Sequence, residues 1–225
     1  MTKKRFNYNS CFDIIGPIMV GPSSSHTAGV CAIGRAIFQL FGKMPQKVRV
    51  TYYESFAQTH QGHGTDYAMI AGLMGMKAAD NRVSQALDLA REAGMEFEFI
   101  ESKEPSPCQH ANTAVVEVSD EESTLTVTGV SIGGGAMEIR FIDDQGLRIE
   151  PCYTTNLVVL KSHLPVYKEK VDEICDVLGV TIDSFQSAAM DGRYLTLLNT
   201  DRQLTSLEVE ALFDRLHVDK AIRLG

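Results

Sequence analysis

The chain has 225 residues, enough for one large domain or two small ones, and a formal net charge of −8. Without a basic stripe, a membrane-length apolar run or the apolar segment of a signal peptide, the sequence predicts a cytoplasmic protein that binds neither nucleic acid nor membrane. Its five cysteines are odd in number and stand far apart, which argues against a disulfide framework and leaves no Cys-x-x-Cys pair for a metal or cluster.

The first predicted helix is preceded by Gly-Pro-Ser-Ser-Ser-His-Thr-Ala-Gly at residues 21–29, a turn that concentrates hydroxyls around one imidazole. Residues 23–25 are natural N-cap side chains, and apolar residues recur at helical spacing through residues 30–41. Hydroxyls and free amide groups at a helix N-terminus favour a small anion, and His26 can exchange a proton there near neutral pH. The segment therefore predicts a carboxylate or phosphate site, although a plain helix cap explains the same residues.

Behind this helix the sequence predicts a mixed α/β domain with an antiparallel sheet. Small residues at positions 28, 29, 32, 34 and 36 allow another backbone to approach the first helix closely. A half-exposed strand over residues 47–53 is followed by a buried helix over residues 68–79 and a second helix over residues 83–93 that stops at Gly94. Four further strands are expected at residues 95–101, 113–119, 124–132 and 136–143.

The polar segment from His60 to Asp66 offers the chemistry of a general base. Two glycines free the backbone around His63, and Asp66 lies where it can orient that imidazole or, like Thr65, cap the following helix. A histidine supported by a carboxylate is the usual make-up of a general base. An exposed histidine beside a capping aspartate is the structural alternative, and no convincing third ligand in the segment supports a metal site at His60 and His63.

Two more segments are unusual for simple connections. His110-Ala-Asn112-Thr113 precedes a predicted strand, and Ser-Ile-Gly-Gly-Gly at residues 131–135 interrupts a strand pair. Three successive glycines cost backbone entropy and mark a special turn or a close approach to a ligand or another backbone. A tight hairpin and an anion-accepting nest of backbone amides are both open interpretations at this point.

From residue 154 the pattern becomes short and regular. It predicts a strand at residues 157–161, a helix opened by Pro165, strands at residues 180–189 and 194–199, a helix after a capping box, and a strand at residues 218–224. The two middle strands are joined by an Asp191-Gly192 turn, and the capping box is formed by Thr205 and Glu208. The order βαββαβ predicts a ferredoxin-like unit, with Tyr167 among the inward residues of its first helix.

Together, the segments at residues 21–29, 62–66, 110–113 and 131–135 resemble the β subunit of two-chain, iron–sulfur-dependent L-serine dehydratase. The resemblance covers nearly the whole chain and implies an α+β protein of two domains. Residues 1–152 would form a mixed α/β domain of the allosteric-substrate-binding type, and residues 153–225 a ferredoxin-like ACT domain. The turn at residues 162–166 lacks the glycine of amino-acid-binding ACT domains, so we expect a dimerising or structural role for this domain.

The resemblance also implies a reaction, the deamination of L-serine to pyruvate and ammonia, performed only together with an α chain. Cysteines of that α chain would ligate a [4Fe-4S] cluster, which leaves no metal ligand on this chain, and several αβ pairs would assemble. His63 is then the candidate base or proton shuttle, with Asp66 beside it. L-serine, as substrate or effector, would be held by residues of the matched segments: Ser23, Ser24, Ser25, His26, Thr27, Asn112 and Thr113.

Two other functions fit the same sequence. A regulatory subunit would sense L-serine and oligomerise without contributing a catalytic group, and a free-standing protein would only bind an amino acid. The glycine-flanked His63 distinguishes the enzyme from the sensor, because a sensor does not need an imidazole presented on a flexible turn. The sequence therefore favours a subunit of a lyase.

Overall fold

The computed structural model describes residues 18–151 and 156–224, which fold into two units, each built on one β-sheet. The first unit, residues 18–151, contains a π-helical turn at Ser24–Ala28, the helices α1 (Gly29–Phe41), α2 (Glu54–Thr59), α3 (Thr65–Leu73) and α4 (Ala86–Glu92), and the strands β1 (Lys47–Tyr52), β2 (Glu96–Glu101), β3 (Thr113–Ser119), β4 (Thr124–Gly133), β5 (Ala136–Asp144) and β6 (Leu147–Ile149). The second unit, residues 156–224, contains β7 (Leu157–Ser162), α5 (Lys168–Leu178), β8 (Ile182–Met190), β9 (Arg193–Thr200), α6 (Ser206–Leu216) and β10 (Lys220–Leu224).

The first sheet has the strand order β2-β1-β3-β4-β5-β6. Neighbouring strands pair antiparallel, as predicted, except that β1 and β2 run parallel with Lys47 opposite Glu96. The chain between these two strands contains α2, α3 and α4, and a crossover of this kind is what parallel neighbours require. Val48, Val50 and Tyr52 form the buried face of β1 and belong to the main hydrophobic core.

Two glycines bring α1 and α3 into backbone contact. A Cβ on Gly34 would lie 2.4 Å from the carbonyl oxygen of Met69, and one on Gly72 would lie 2.3 Å from that of Cys31. These separations are far inside van der Waals contact, so no larger residue fits at either crossing point. The close backbone approach predicted for the first helix is confirmed at Gly34, and it fixes α1 relative to α3.

The buried helix α3 is shorter than predicted and begins differently. It spans Thr65–Leu73 rather than residues 68–79, and the chain turns away at Gly75, which has a positive φ of 80°. Its N-cap is Gly64 in the left-handed conformation. The predicted cap at Thr65 or Asp66 is wrong: among the described residues the buried Thr65 hydroxyl meets no hydrogen-bond partner, and Asp66 binds a histidine instead.

The second sheet has the strand order β10-β7-β9-β8 with antiparallel neighbours, which is the ferredoxin-like arrangement predicted from the βαββαβ pattern. Thr205 and Glu208 form the predicted capping box, and Asp191 and Gly192 both adopt the positive φ of a tight hairpin turn. The prediction for Tyr167 is wrong: because α5 begins at Lys168, Tyr167 precedes the helix and is 64% exposed.

The two units share a hydrophobic core, to which the second sheet contributes Leu157, Val159, Leu195, Leu197 and Leu224. Lys161 of β7 donates a 2.9 Å hydrogen bond to the Leu40 carbonyl near the C-terminus of α1, and it pairs with Asp144 of β5 at 2.7 Å. We call residues 21–29 the serine segment. The helix that follows it, α1, is therefore tied at its C-terminal end to the second unit. In the part of the chain that the structure describes, no helix is long and apolar enough to cross a membrane.

Candidate functional site

The serine segment forms a π-helical turn that continues directly into α1. Ser23 is the N-cap of this turn: its Oγ accepts a 3.2 Å hydrogen bond from the backbone N–H of His26, so the predicted capping role is confirmed for this serine. Ser24 and Ser25 lie inside the turn, whose wide hydrogen bond runs from the Gly29 N–H to the Ser24 carbonyl. Single π-helical turns are frequent at functional sites.

His26 is surrounded by the hydroxyls of its own turn. Its Nδ1 lies 2.9 Å from the Oγ of Ser25 and 3.4 Å from that of Ser23. Burial of the ring, and after it the nearby His63, lower the pKa of His26, so the imidazole is neutral at pH 7. A hydroxyl can both donate and accept, so these contacts are compatible with a proton on either ring nitrogen, Nδ1 or Nε2. That Nε2 is buried and has no hydrogen-bond partner within residues 18–151 and 156–224.

His63 stands next to His26, just before α3. The Thr27 hydroxyl donates a 3.0 Å hydrogen bond to the His63 carbonyl, and the two imidazole centroids lie 5.0 Å apart. The Nδ1 of His63 lies 3.2 Å from the carbonyl oxygen of Thr59. Because a carbonyl can only accept, Nδ1 carries the proton in the neutral ring and Nε2 carries the lone pair. The exposed His63 therefore presents a proton acceptor beside the serine segment.

Asp66 does not orient His63, contrary to the prediction. Its Oδ1 lies 2.7 Å from the Nδ1 of His60, the other histidine of the segment, which is only 4% exposed. The Nε2 of His60 lies 2.9 Å from the Oε1 of Glu101 at the end of β2. The physical reason is burial, because an imidazole that cannot reach water needs protein partners, whereas the exposed His63 does not.

The pKa values around His60 follow from this geometry. Burial acts to lower the pKa of His60, but the hydrogen bonds to Glu101 and Asp66 outweigh burial and raise it above its usual value. Burial raises the pKa of Asp66, and His60 opposes that shift. Burial, followed by the negative charge of Asp66, raises the pKa of Tyr52 far above its usual range. The buried His60, the half-buried Asp66 and the exposed Glu101 thus form a charged cluster behind the turn that carries His63.

The segments at residues 110–113 and 131–135 meet each other and the serine segment. The Ser131 N–H donates to the Asn112 carbonyl at 3.0 Å, and the Asn112 side-chain amide reaches the Ser131 carbonyl at 3.5 Å. All three glycines of the second segment have positive φ, from 62° to 97°, so the tight hairpin is confirmed. A Cβ on Gly29 would lie 2.1 Å from the Ser131 Oγ, so this hairpin packs directly against the start of α1.

The structure brings five of the predicted site residues into one group, which we call the serine–histidine edge: Ser23, Ser25, His26, Thr27 and His63. Ser24 lies in the same turn. Asn112 reaches the edge through the hairpin that packs on α1. Thr113 is fully buried, and its hydroxyl contacts the Ser106 Oγ at 2.8 Å and donates to the His110 carbonyl.

Sequence reasoning missed the groups that support the edge from behind. The Thr59 carbonyl orients His63, and the Phe56 ring lies 5.1 Å from that of His26. A backbone carbonyl has no sequence signal of its own. The link between His60 and Glu101 joins residues 41 positions apart, so only the presence of a second histidine in the segment could have suggested it.

The described residues do not fit an iron–sulfur cluster. No group of three His, Cys, Asp or Glu side chains that could hold a metal ion occurs among them. Burial, as the main cause in both cases, raises the pKa of the Cys31 and Cys175 thiols to about 11. A thiol must lose its proton to ligate iron, so these two buried cysteines are poor ligands at neutral pH.

Hydroxyls, helix amides and two imidazoles on one edge suit a protein that holds a small anion beside a proton acceptor. The family model of the serine dehydratase beta chain matches residues 10–140, which contain all four segments, and the chain belongs to this family. It is 46% identical to the probable L-serine dehydratase beta chain of Bacillus subtilis over 153 residues, 68% of each chain. It is 36% identical to the L-serine dehydratase beta chain of Peptoniphilus asaccharolyticus over 149 residues, 66% of this chain and 67% of that one. It is also 31% identical to the L-serine dehydratase of Streptomyces coelicolor over 150 residues, 56% of this chain and 32% of that one.

Proposed function

We propose that this chain, together with an α chain, deaminates L-serine to pyruvate and ammonia, and that it contributes the proton acceptor and part of the substrate site. Three relatives that match this chain over 149 to 153 residues are named L-serine dehydratase, and two of them are named beta chains. In the Streptomyces coelicolor protein the matched region makes up only 32% of the chain. We propose that a separate α chain supplies here what the rest of that protein supplies there.

The proposed place for the substrate carboxylate is the start of the π-helical turn. The positive end of a helix favours an anion, and the hydroxyls of Ser24 and Ser25 stand in its first turn. The buried Nε2 of His26 meets no partner in the described chain, and it is a further donor for this carboxylate in the tautomer whose Nδ1 accepts from Ser25. Neutral His26 suits the role, because it donates this hydrogen bond without requiring a second charge to be desolvated.

The observation that carries the proposal is the tautomer of His63. With Nδ1–H directed at the Thr59 carbonyl, the free lone pair is on Nε2 of an exposed ring, 5.0 Å between centroids from His26. In the proposed reaction Nε2 takes the α-proton of L-serine, the electrons of that C–H bond form the Cα=Cβ bond, and the β-hydroxyl leaves as water after protonation. The resulting enamine tautomerises to an imine, which water hydrolyses to pyruvate and ammonia. His63 is therefore proposed as the catalytic base.

The cofactor of the reaction is assigned to the α chain. We propose that a [4Fe-4S] cluster is ligated there, since the described residues of this chain do not offer a ligand set for it.

We also propose that the second unit is an ACT-type domain with a dimerising or structural role, within an assembly of several αβ pairs in the cytoplasm. Its sheet already packs against the core of the first unit, which supports a structural role.

The test is an assay of the assembled complex. The chain is co-expressed with its α chain and purified anaerobically, and pyruvate formation from L-serine is measured for the wild type and for His63→Ala. We expect kcat to fall by about two to four orders of magnitude while the complex still forms, because general-base catalysis contributes about 10²–10⁴-fold. His163→Ala is the matched control, since His163 is an exposed histidine paired with Asp219 in the second unit.

The outcomes separate the candidate functions. Normal turnover in His63→Ala would overturn the base assignment and favour a serine-sensing subunit that contributes no catalytic group. Equilibrium dialysis of the isolated chain against millimolar L-serine tests the free-standing binding protein, and an absence of binding counts against that function.

A further inference from the structure

His60 is a buried histidine that takes no part in the proposed chemistry. It lies between two carboxylates from different elements, with Asp66 of α3 at 2.7 Å from Nδ1 and Glu101 of β2 at 2.9 Å from Nε2. Ionised carboxylates only accept hydrogen bonds, so both ring nitrogens must carry protons for both contacts to form. The geometry therefore describes an imidazolium with two charge-assisted hydrogen bonds.

Backbone hydrogen bonds and the His60–Asp66 contact together close the turn that carries His63. The Thr65 N–H donates to the His60 carbonyl at 3.1 Å, and the His63 N–H donates to the Thr59 carbonyl at 3.1 Å. The His60–Asp66 hydrogen bond joins the two ends of this turn through side chains. Glycines flank His63 on both sides, and Gly64 adopts a φ of 70°, so the turn depends on such contacts to hold one conformation.

Other groups around His60 contribute little competing charge. The Tyr52 ring of β1 packs against it with centroids 5.0 Å apart, and the Phe99 ring of β2 lies at 6.4 Å. Further charged side chains line two open grooves that His60 and Glu101 also line: Glu54, Lys103 and Glu104 in one, and Arg91 and Glu98 in the other. Asp66 and Glu101 alone hydrogen-bond the His60 ring among the described residues, so these two carboxylates control its charge.

We propose that His60 is a positioning residue for His63: its doubly hydrogen-bonded imidazolium ties both ends of the turn at residues 60–66 to β2 and so fixes the orientation of the His63 ring. Loss of a proton from His60 places a lone pair opposite one carboxylate, which breaks that hydrogen bond and loosens the turn. Burial lowers the pKa of His60, but the hydrogen bonds to Glu101 and Asp66 outweigh it and raise the pKa above its usual value, so the turn loosens at a pH above that value. Where it concerns turnover, this inference rests on the proposed function; where it concerns the turn, it is a property of this chain.

The first test is the pH profile of kcat for the assembled complex. We expect activity to fall at high pH as His60 loses its proton. His60→Gln should lower kcat by about tenfold to a hundredfold, because small misplacements of a catalytic group have effects of this size, and it should change KM much less. It should also remove the alkaline limb of the profile.

Two further variants sharpen this test without risk to the core. Glu101→Gln changes a side chain that is 58% exposed, keeps its shape, and should move the alkaline limb to lower pH by about one unit. His163→Gln alters the exposed His163–Asp219 pair of the second unit and should leave the alkaline limb in place. An alkaline limb that stays at the same pH in His60→Gln and Glu101→Gln would overturn the proposal.

A measurement on the full chain alone separates this inference from the proposed function. Histidine ring resonances are followed by NMR against pH, and those of His63 are identified by their loss in His63→Ala. We expect the His63 resonances to show an inflection at the pH where His60 titrates, and this inflection should vanish in His60→Gln and move in Glu101→Gln. If the inflection behaves in this way but the complex never deaminates L-serine, the proposed function fails and the positioning role of His60 stands. If the His63 resonances follow the same curve against pH in the wild type and in His60→Gln, the positioning role is wrong.

Discussion

The helix starts at the serine–histidine edge and in the second unit differ in how their polar side chains are paired. Beside the edge, the His26 Nε2 and the Thr65 hydroxyl are buried and meet no hydrogen-bond partner within the described ranges. In the second unit, α6 begins with a complete capping box, and the hairpin at Asp191 and Gly192 uses the turn that these residue types favour. Buried unpaired groups cost stability, so a fold that retains them at one place has another use for them there.

This difference teaches which substitutions should affect turnover and which should affect only stability. Residues of the second unit follow local rules of helix and turn formation, so changing them should lower the free energy of unfolding and leave kcat unchanged. Residues behind the serine–histidine edge hold a reactive imidazole, so changing them should affect both. Three substitutions test this division, in order of decreasing effect on stability.

Gly72→Ala should cause the largest loss of stability. The new Cβ would lie 2.3 Å from the Cys31 carbonyl oxygen and 2.7 Å from the Arg35 nitrogen, both backbone atoms of α1, so the two helices must move apart. We expect a loss of about 3 kcal/mol in the free energy of unfolding, measured by chemical denaturation, together with reduced turnover because α1 carries the edge.

Gly62→Ala is the control for this prediction. Its Cβ would meet its nearest atom, the Thr59 carbonyl oxygen, at 3.9 Å, so stability should change by no more than about 0.5 kcal/mol. Equal losses of stability in Gly72→Ala and Gly62→Ala would show that the crossing of α1 and α3 tolerates a methyl group, and that the close backbone approach does not fix α1 relative to α3.

His60→Gln should lower stability by less than Gly72→Ala, and by an amount that depends on pH. The pKa of His60 is raised in the folded state, so its stabilising contribution is complete below the unfolded value of about 6.5 and disappears as pH rises through the folded value. We expect His60→Gln to lose about 2 kcal/mol near pH 6, the usual size for hydrogen bonds to charged groups, and less near pH 9.

The contribution of His26 to the free energy of unfolding depends on pH with the opposite sign. Its pKa is lowered on folding, so it destabilises the chain as pH falls below about 6.5, and this contribution is common to the wild type and His60→Gln. The quantity to measure is therefore the difference in unfolding free energy between the two proteins from pH 6 to pH 9. A difference that grows with pH would contradict an imidazolium at His60.

The second unit was predictable from sequence because its signals are local. Thr205 and Glu208 are three residues apart, and Asp191 and Gly192 are adjacent, so each pattern indicates its own structure. The parallel pairing of β1 and β2 was not predictable, because the alternation of buried and exposed residues carries no information on strand direction. Tyr167 was misplaced for a related reason, since helical spacing does not say at which residue a helix begins.

The contrast between local and long-range signals also explains which features of the serine–histidine edge were predictable. The cap at Ser23 and the hairpin of three glycines are local patterns, and both predictions are confirmed. The choice of Asp66 between His60 and His63 depends instead on which imidazole is buried, and β2 settles this by bringing Glu101 onto His60. The catalytic and binding roles assigned to edge residues stay predictions until the variants are measured.

Thr205→Ala should have the smallest effect and is the strictest test of the division between the two regions. The Thr205 Oγ accepts from the Glu208 N–H at 3.3 Å at the start of α6, and loss of such a cap costs about 1 kcal/mol. For a chain of this length we expect the Tm to fall by about 2–4 °C in differential scanning calorimetry, while kcat of the assembled complex stays unchanged. Thr205→Ser retains the hydroxyl and should restore most of the loss. A fall in kcat in Thr205→Ala that exceeds the loss of folded protein would show that α6 is coupled to the serine–histidine edge, through the core that the two units share and the Lys161 contact with the end of α1.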